Sequence, residues 1–286
     1  MSGTSVQNAI GVQTARRRGV LALGLSRIGF ELRMYVRSGE TIFFGFLFPI
    51  LMLGLFSIVF GGDGPTSMGP GLPEITAAQL YLPGMLAAGL LLSGVQNLAI
   101  DIAMERSDGT LKRLGGTPLS PVGYFIGKLG YVLITGAAQA ALLLTFAAVV
   151  FGVPLPNTAE GWLTFGWVFL LGITASALLG IALSALPRTG KSATAVVIPI
   201  MLVLQFISGV YLFFSLLPDW LQTVAKLFPV AWMAQGMRAV FLPTEYSALE
   251  PSGEWDLGQV AIALAIWLVV GLIISRLTFR WVRRGA

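Results

Sequence analysis

The sequence predicts an all-α integral membrane protein with six transmembrane helices. Three observations support that reading. Six runs of at least 19 residues carry no charged side chain: 41–62, 75–100, 129–158, 161–187, 192–218 and 257–275. A helix rising about 1.5 Å per residue needs about 20 apolar residues to cross a hydrocarbon core of about 30 Å. The composition is 56% hydrophobic and 11% charged, whereas soluble domains carry about 25% charged residues. Finally, threading the chain through six spans places all but two of its 18 Lys and Arg residues on one side.

That side is the cytoplasm under the positive-inside rule, so both termini are expected there. Its cations are Arg16, Arg17, Arg18, Arg27, Arg33 and Arg37 before span 1, and Arg106, Lys112, Arg113 and Lys128 between spans 2 and 3. Arg188 and Lys191 follow between spans 4 and 5, and Arg276, Arg280, Arg283 and Arg284 close the chain. Lys226 and Arg238 fall in the longest external loop. The net charge of +5 therefore reports orientation, and no nucleic-acid partner is expected. Cysteine and histidine are absent. That removes disulfides, thiolate nucleophiles and the commonest proton shuttle and metal ligand.

Residues 1–19 read as a flexible tail. Residues 20–38 read as an amphipathic interface helix. Leu21, Leu25, Ile28, Leu32, Tyr35 and Val36 share one sector of about 100°, and Arg27, Glu31, Arg33 and Arg37 occupy the remainder. Such a helix lies along the membrane with its basic face toward anionic headgroups. The break at Ser26-Arg27 argues against a cleaved signal peptide, despite Arg16-Arg17-Arg18. The spans are expected at 41–60, 79–101, 123–151, 162–186, 192–214 and 258–279. Pro49 in span 1 and Pro199 in span 5 each remove a helix hydrogen bond and invite a kink. Gly172, Ser176, Gly180 and Ser184, and separately Gly123, Gly127 and Gly130, form small-residue ridges that let helices approach closely. No charged residue falls at mid-membrane, where each costs about 2.5 kcal/mol or more. Asp101, at the cytoplasmic end of span 2, is expected to reach water. Between 217 and 243, Pro218, Pro229 and Pro243 divide the chain into two pieces too short to cross a membrane. They read as short helices dipping into the outer leaflet, with Trp220 and Trp232 at interfacial depth, or as an amphipathic surface loop. Residues 245–256 read as an exposed acidic loop.

The most specific local sequence lies in the cytoplasmic segment expected at 102–120. Ser107 or Asp108 caps a short helix through Leu114, and Gly115 stops it. Asp108 and Lys112, four apart, support that helix. Thr117-Pro118 and Ser120-Pro121 offer two successive starts for span 3. A short charged helix projecting between two spans is a suitable lever.

This stretch resembles the signature of ABC-2 type permeases, the membrane subunits of type V ABC exporters. Glu105, Arg106, Gly109, Thr110, Leu111, Lys112, Arg113, Leu114, Thr117, Pro118 and Leu119 match an E-R-x-x-G-T-L-K-R-L…T-P-L pattern position by position. Two further regions match in order. Glu31-Leu32-Arg33, followed by 41–54 with Phe48-Pro49, resembles the family's connecting helix and first span. Ser208-Gly209-Val210-Tyr211, Leu217-Pro218-Asp219-Trp220-Leu221, Phe228-Pro229 and Arg238 resemble its span 5 ending and external helices. The coupling stretch looks closest to daunorubicin-type drug-resistance permeases.

The resemblance implies a bacterial inner-membrane permease subunit without catalytic or metal-binding residues. It implies a homo- or heterodimer, two copies of a cytoplasmic ABC ATPase that carry ATP and Mg, and contact with membrane lipids. The segment from Glu105 to Pro118 would receive the ATPase, and the external helices would lid a route for a hydrophobic or amphipathic cargo. Phe44, Phe48, Met52, Gln96, Asn97, Gln205, Phe206 and Tyr211 are the expected lining. An exporter of lipid-linked glycan or other lipid is the alternative on the same scaffold. A membrane-embedded enzyme and an ion-driven carrier are disfavoured, because no paired acids or mid-membrane carboxylate are available. Gly190-Lys191-Ser192 is a false phosphate-loop match: Ala185 stands where the loop's first glycine is required.

Overall fold

The computed structural model describes residues 19–62, 64–212 and 214–278, so the expected tail, apart from Gly19, lies outside them. Among the described residues, six helices are long and apolar enough to cross a membrane: Phe43–Phe60, Ala77–Ser107, Pro121–Phe151, Ala159–Leu183, Gly190–Ile207 and Leu257–Thr278. They are spans 1 to 6. The helix expected at the interface, Val20–Arg37, precedes them and is called the interface helix after that expectation. Hydroxyl caps start four of the spans by accepting an orphan backbone N–H. Thr76 accepts from Gln79, Ser120 from Gly123, Thr158 from Gly161, and Thr189 from Ser192. Of the two possible starts for span 3, Ser120-Pro121 is the one used. Thr189 and Ser192 form a reciprocal capping box, so Gly190-Lys191-Ser192 is the first turn of a membrane helix.

Two helix ends differ from expectation. Span 2 continues to Ser107, which shortens the cytoplasmic connection. Span 5 stops at Ile207, because Gly209 turns the chain with φ +72, a conformation that costs other residues.

Span 2 is the central post, with 78% of its most apolar window buried, against 22% for span 1, 28% for span 5 and 17% for span 6. The small-residue ridges explain how its neighbours come close. A Cβ on Gly180 would stand 2.5 Å from the Gly94 carbonyl, and one on Gly94 would stand 2.5 Å from Ser176 Cβ. Spans 1 and 2 each contain a π-helical stretch, Phe43–Leu47 and Leu92–Asn97. The first immediately precedes Pro49, whose missing N–H cannot close an ordinary turn onto Gly45.

Outside the spans, Asp219–Lys226 is a short peripheral helix and Pro229–Phe241 is its partner. Trp220 is exposed, and the Trp232 indole donates to the Lys226 carbonyl at 2.8 Å. The second helix packs on spans 2, 4 and 6 and buries Val230, Met233, Ala234 and Met237. An amphipathic surface loop is thereby excluded. Nor is 245–256 simply exposed. Tyr246 is buried and donates to the Pro73 carbonyl at 2.9 Å, and Glu250 turns inward to Arg238. Arg238, carried on a buried helix, needs a carboxylate partner, and that need draws the loop onto the bundle.

Candidate functional site

Three helices meet at the end of the bundle where span 2 gives way to span 3, and each carries polar residues one turn apart. The interface helix supplies Arg27, Glu31 and Tyr35. Span 2 supplies Asp101 and Glu105, and span 3 supplies Tyr124, Lys128 and Tyr131. Spacing of three or four residues puts each set on one helical face. The Lys128 ammonium lies 2.9 Å from Glu31 Oε2 and 2.9 Å from Glu105 Oε1. Arg27 Nη2 stands 2.7 Å from Glu31 Oε1 and 3.3 Å from Glu105 Oε1. Two cations are thus shared between two carboxylates.

The phenols complete the junction. Tyr124 donates to Glu105 Oε2 at 2.6 Å, and Tyr131 donates to Asp101 Oδ2 at 3.0 Å. Asp101 is therefore engaged in the junction, not simply solvated as expected. Tyr35 packs between Phe46 and Tyr131, with ring centroids 6.2 and 6.1 Å away. Burial, and secondarily the Asp101 charge, push its phenol up to about 12, so it stays neutral at physiological pH. Lys128 is 1% exposed and Glu105 17% exposed, so the cluster grades from core to edge. Charges held this deep are tolerable only because each is paired and hydrogen-bonded.

This geometry corrects the expected orientation of the interface helix. Arg27 and Glu31 point into the protein, while Leu21, Leu25 and Val36 are 64–70% exposed. The glycine ridge of span 3 makes room for the inward face. A Cβ on Gly127 would stand 2.3 Å from Arg27 Cγ, and one on Gly130 would stand 2.2 Å from Ile28 Cδ1. Arg33 and Arg37 remain on the exposed side, as the sequence suggests.

Beyond Ser107 the chain reverses at Gly109, where φ is +78, into the short helix Thr110–Gly115. Asp108 Oδ1 accepts from the Thr110 N–H at 2.8 Å, and Thr117 Oγ1 donates to the Leu114 carbonyl at 2.7 Å. This short helix lies in the expected coupling segment and is called the coupling helix after that expectation. It hangs between span 2 and span 3, one turn beyond Glu105.

A family model described as ABC-2 family transporter protein matches residues 64–277. The chain belongs to the ABC-2 transporter family. Its relatives agree. It is 28% identical over 250 residues to a Cyanophora paradoxa protein named transport permease ycf38, covering 84% of this chain and 83% of that one. The inner membrane transport permease YadH of Escherichia coli K12 is 21% identical over 198 residues, 68% of this chain and 74% of its own length. The E. coli K12 protein YbhR, whose name describes a multidrug ABC transporter permease, is 23% identical over 170 residues, 59% of this chain and 45% of its own.

In this ABC-2 permease the expected coupling residues divide into roots and tips. Leu111 is 1% exposed and anchors the coupling helix in the core. Arg106 Nη1 donates to the Ser184 carbonyl at 2.6 Å, fastening span 2 to the end of span 4. Glu105 belongs to the charge junction. Lys112, Arg113, Thr117 and Pro118 are exposed, with Thr110, Gly109 and Leu114 between.

The expected route residues are only partly gathered. Tyr211 donates a hydrogen bond to Gln205 Oε1 and packs on Phe206 at 5.1 Å. Its ring also meets Phe56 at 5.8 Å. Phe44 lies twelve residues before Phe56, about 18 Å along the helix. Phe48 and Met52 stand between them. Gln96 and Asn97 are half-buried on the span 2 π stretch. A Cβ on Gly45 would stand 4.0 Å from Asn97 Nδ2, so the two π stretches are neighbours.

The sequence reading assigned no role to Lys128, Tyr124, Tyr131 or Tyr35 in this junction. Their four-residue polar spacing was visible. What a single sequence does not display is that three such faces converge.

Proposed function

We propose that this permease is the membrane half of an ATP-driven exporter, paired with a second permease copy and worked by a separate cytoplasmic ATPase that carries ATP and Mg. One observation carries this reading. The coupling helix presents Lys112 and Arg113 to solvent, while its base is joined through Glu105 to span 3 and the interface helix by paired charges. A push on the tip therefore moves three helices as a unit. The ATPase contact comprises Lys112, Arg113, Thr117 and Pro118 and the exposed carboxylate of Asp108. The distribution of Lys and Arg supports cytoplasmic termini.

Cargo is hydrophobic or amphipathic. The aromatic group of Phe56, Tyr81, Phe206 and Tyr211, with the Gln205 amide beneath, forms the outer part of its route. A cavity of about 160 Å³ continues outward past Tyr81, Tyr211, Gly209 and Arg238. The name of YbhR points to drugs as one cargo class.

The test is Lys112→Glu with Arg113→Glu in one chain, co-expressed with the ATPase. Retention of the fold with loss of ATPase co-purification and of ATP-dependent transport is expected. Unchanged co-purification and transport would place the ATPase contact elsewhere. Since the chain has no cysteine, single cysteines at Lys112 and Glu254, labelled from each side, read the orientation directly.

A further inference from the structure

At the coupling-helix end, the start of span 3 and the ends of spans 4 and 6 leave a groove of about 540 Å³. That size falls within the range of about 300–1,000 Å³ typical of small-molecule sites. Phe125, Leu129 and Ile181 line it together with Val122 and Leu272, which are 59% and 47% exposed, so it opens sideways from the bundle. Its base is firm. A Cβ on Gly271 would stand 2.7 Å from Leu178 Cβ, and Ser275 Oγ donates to the Leu178 carbonyl at 3.3 Å.

The charged residue of this lining is Arg276, which is exposed. Among the described residues, Arg27, Lys128 and Arg238 all have a carboxylate within 3.3 Å, and Arg276 has no such ion pair. It stands in the last turn of span 6, at the level where the apolar helix ends. Arg280, Arg283 and Arg284 follow in sequence, so the sequence from Arg276 onward carries positive charge alone.

We propose that this groove is a binding site for an anionic phospholipid, with an acyl chain along Phe125, Leu129 and Leu272 and its phosphate on Arg276. An apolar slot open to the membrane excludes water, and a basic residue at its polar end complements a lipid headgroup of opposite charge. Under the orientation proposed above, the lipid comes from the inner leaflet. The site also adjoins the charge junction. Ile126 lines the groove and is the residue on which Gly24 of the interface helix rests, at 2.8 Å from a Cβ built there. An acyl chain against Ile126 therefore supports the interface helix from behind.

The full chain, purified in detergent and given equal amounts of phosphatidylglycerol and phosphatidylcholine, is analysed by native mass spectrometry. Preferential retention of phosphatidylglycerol is expected. Arg276→Gln lowers that retention about fivefold, the equivalent of one basic contact of about 1 kcal/mol, and Arg276→Lys preserves it. Val122→Trp, which obstructs the groove from its open side, lowers retention of both lipids. Equal retention of the two lipids, or an unchanged Arg276→Gln chain, overturns the assignment. So does a rise in bound lipid on truncation after Thr278, which would identify the chain's own terminal segment as the occupant. Because this binding needs neither ATPase nor orientation, its failure leaves the transport reading intact.

Discussion

Among the described residues, two buried ion clusters brace this permease, and they are built on different plans. At the coupling end, Lys128 and Arg27 are shared between Glu31 and Glu105, and the group joins three helices. At the other end, Arg238 Nε meets Glu250 Oε1 alone at 2.5 Å, with side chains 8% and 4% exposed. Arg238 Nη1 also takes the Gly209 carbonyl at 3.0 Å, where the chain leaves span 5. The first arrangement has a spare contact for every charge and an edge near solvent. The second gives neither charge a second ion partner, and Glu250 Oε2 lacks a hydrogen-bond partner. A shared cluster holds several helices in one body while tolerating small shifts. A single buried pair pins one turn in one place. Under the proposed function, the first end transmits and the second clamps.

Lys128→Met should separate the two most strongly. It removes the ammonium shared by both carboxylates and leaves Glu31 and Glu105 competing for Arg27. A loss of about 3–5 kcal/mol is expected, read as a lowered unfolding midpoint in detergent. Arg238→Met should come next, near 3 kcal/mol, because it strands one carboxylate. The doubles sharpen the contrast. Arg238→Met with Glu250→Leu should recover most of that loss, since an apolar pair replaces a buried ion pair at little cost. Lys128→Met with Glu105→Leu should recover less, because the ion pairs that tie span 2 to the other two helices are gone and Tyr124 loses its acceptor, leaving the Tyr131–Asp101 hydrogen bond to join spans 2 and 3.

Gly127→Ala acts on the same junction by shape alone. Its new methyl would lie 2.3 Å from Arg27 Cγ. About 1–3 kcal/mol of overpacking is expected, with the interface helix more accessible to protease. Arg113→Glu should change stability least, by less than about 0.5 kcal/mol, yet reduce ATP-driven transport. Equal thermal losses for Arg113→Glu and Lys128→Met would erase the distinction between tip and root.

Much of this was legible in the chain. Charge-free runs marked the spans, Ser120-Pro121 was one of two starts offered for span 3, and the glycine ridge of span 3 announced a close neighbour. The signature 105–119 fell on the short helix Thr110–Gly115. What escaped has a common cause. Whether Arg27 faces headgroups or Glu105 is decided by a partner 78 residues away. Likewise, Leu111 reads as a lever residue until packing buries it. Glu250 looked solvated because its loop is acidic, and only the burial of Arg238 explains its inward turn. The π stretches of spans 1 and 2 carry no local signal beyond Pro49.

The central claim is that the interface helix and span 3 travel together when the coupling helix is pushed. In a chain without cysteine, Gly24→Cys with Ile126→Cys gives a unique pair. A Cβ at Gly24 lies 2.9 Å from Ile126 Cβ, and a small outward shift brings it to the disulfide spacing of about 3.8 Å. Reconstituted with its ATPase, the oxidised protein should transport at the rate of its reduced form. Transport that stops on oxidation and returns on reduction would show that the junction opens in each cycle, and would contradict this account.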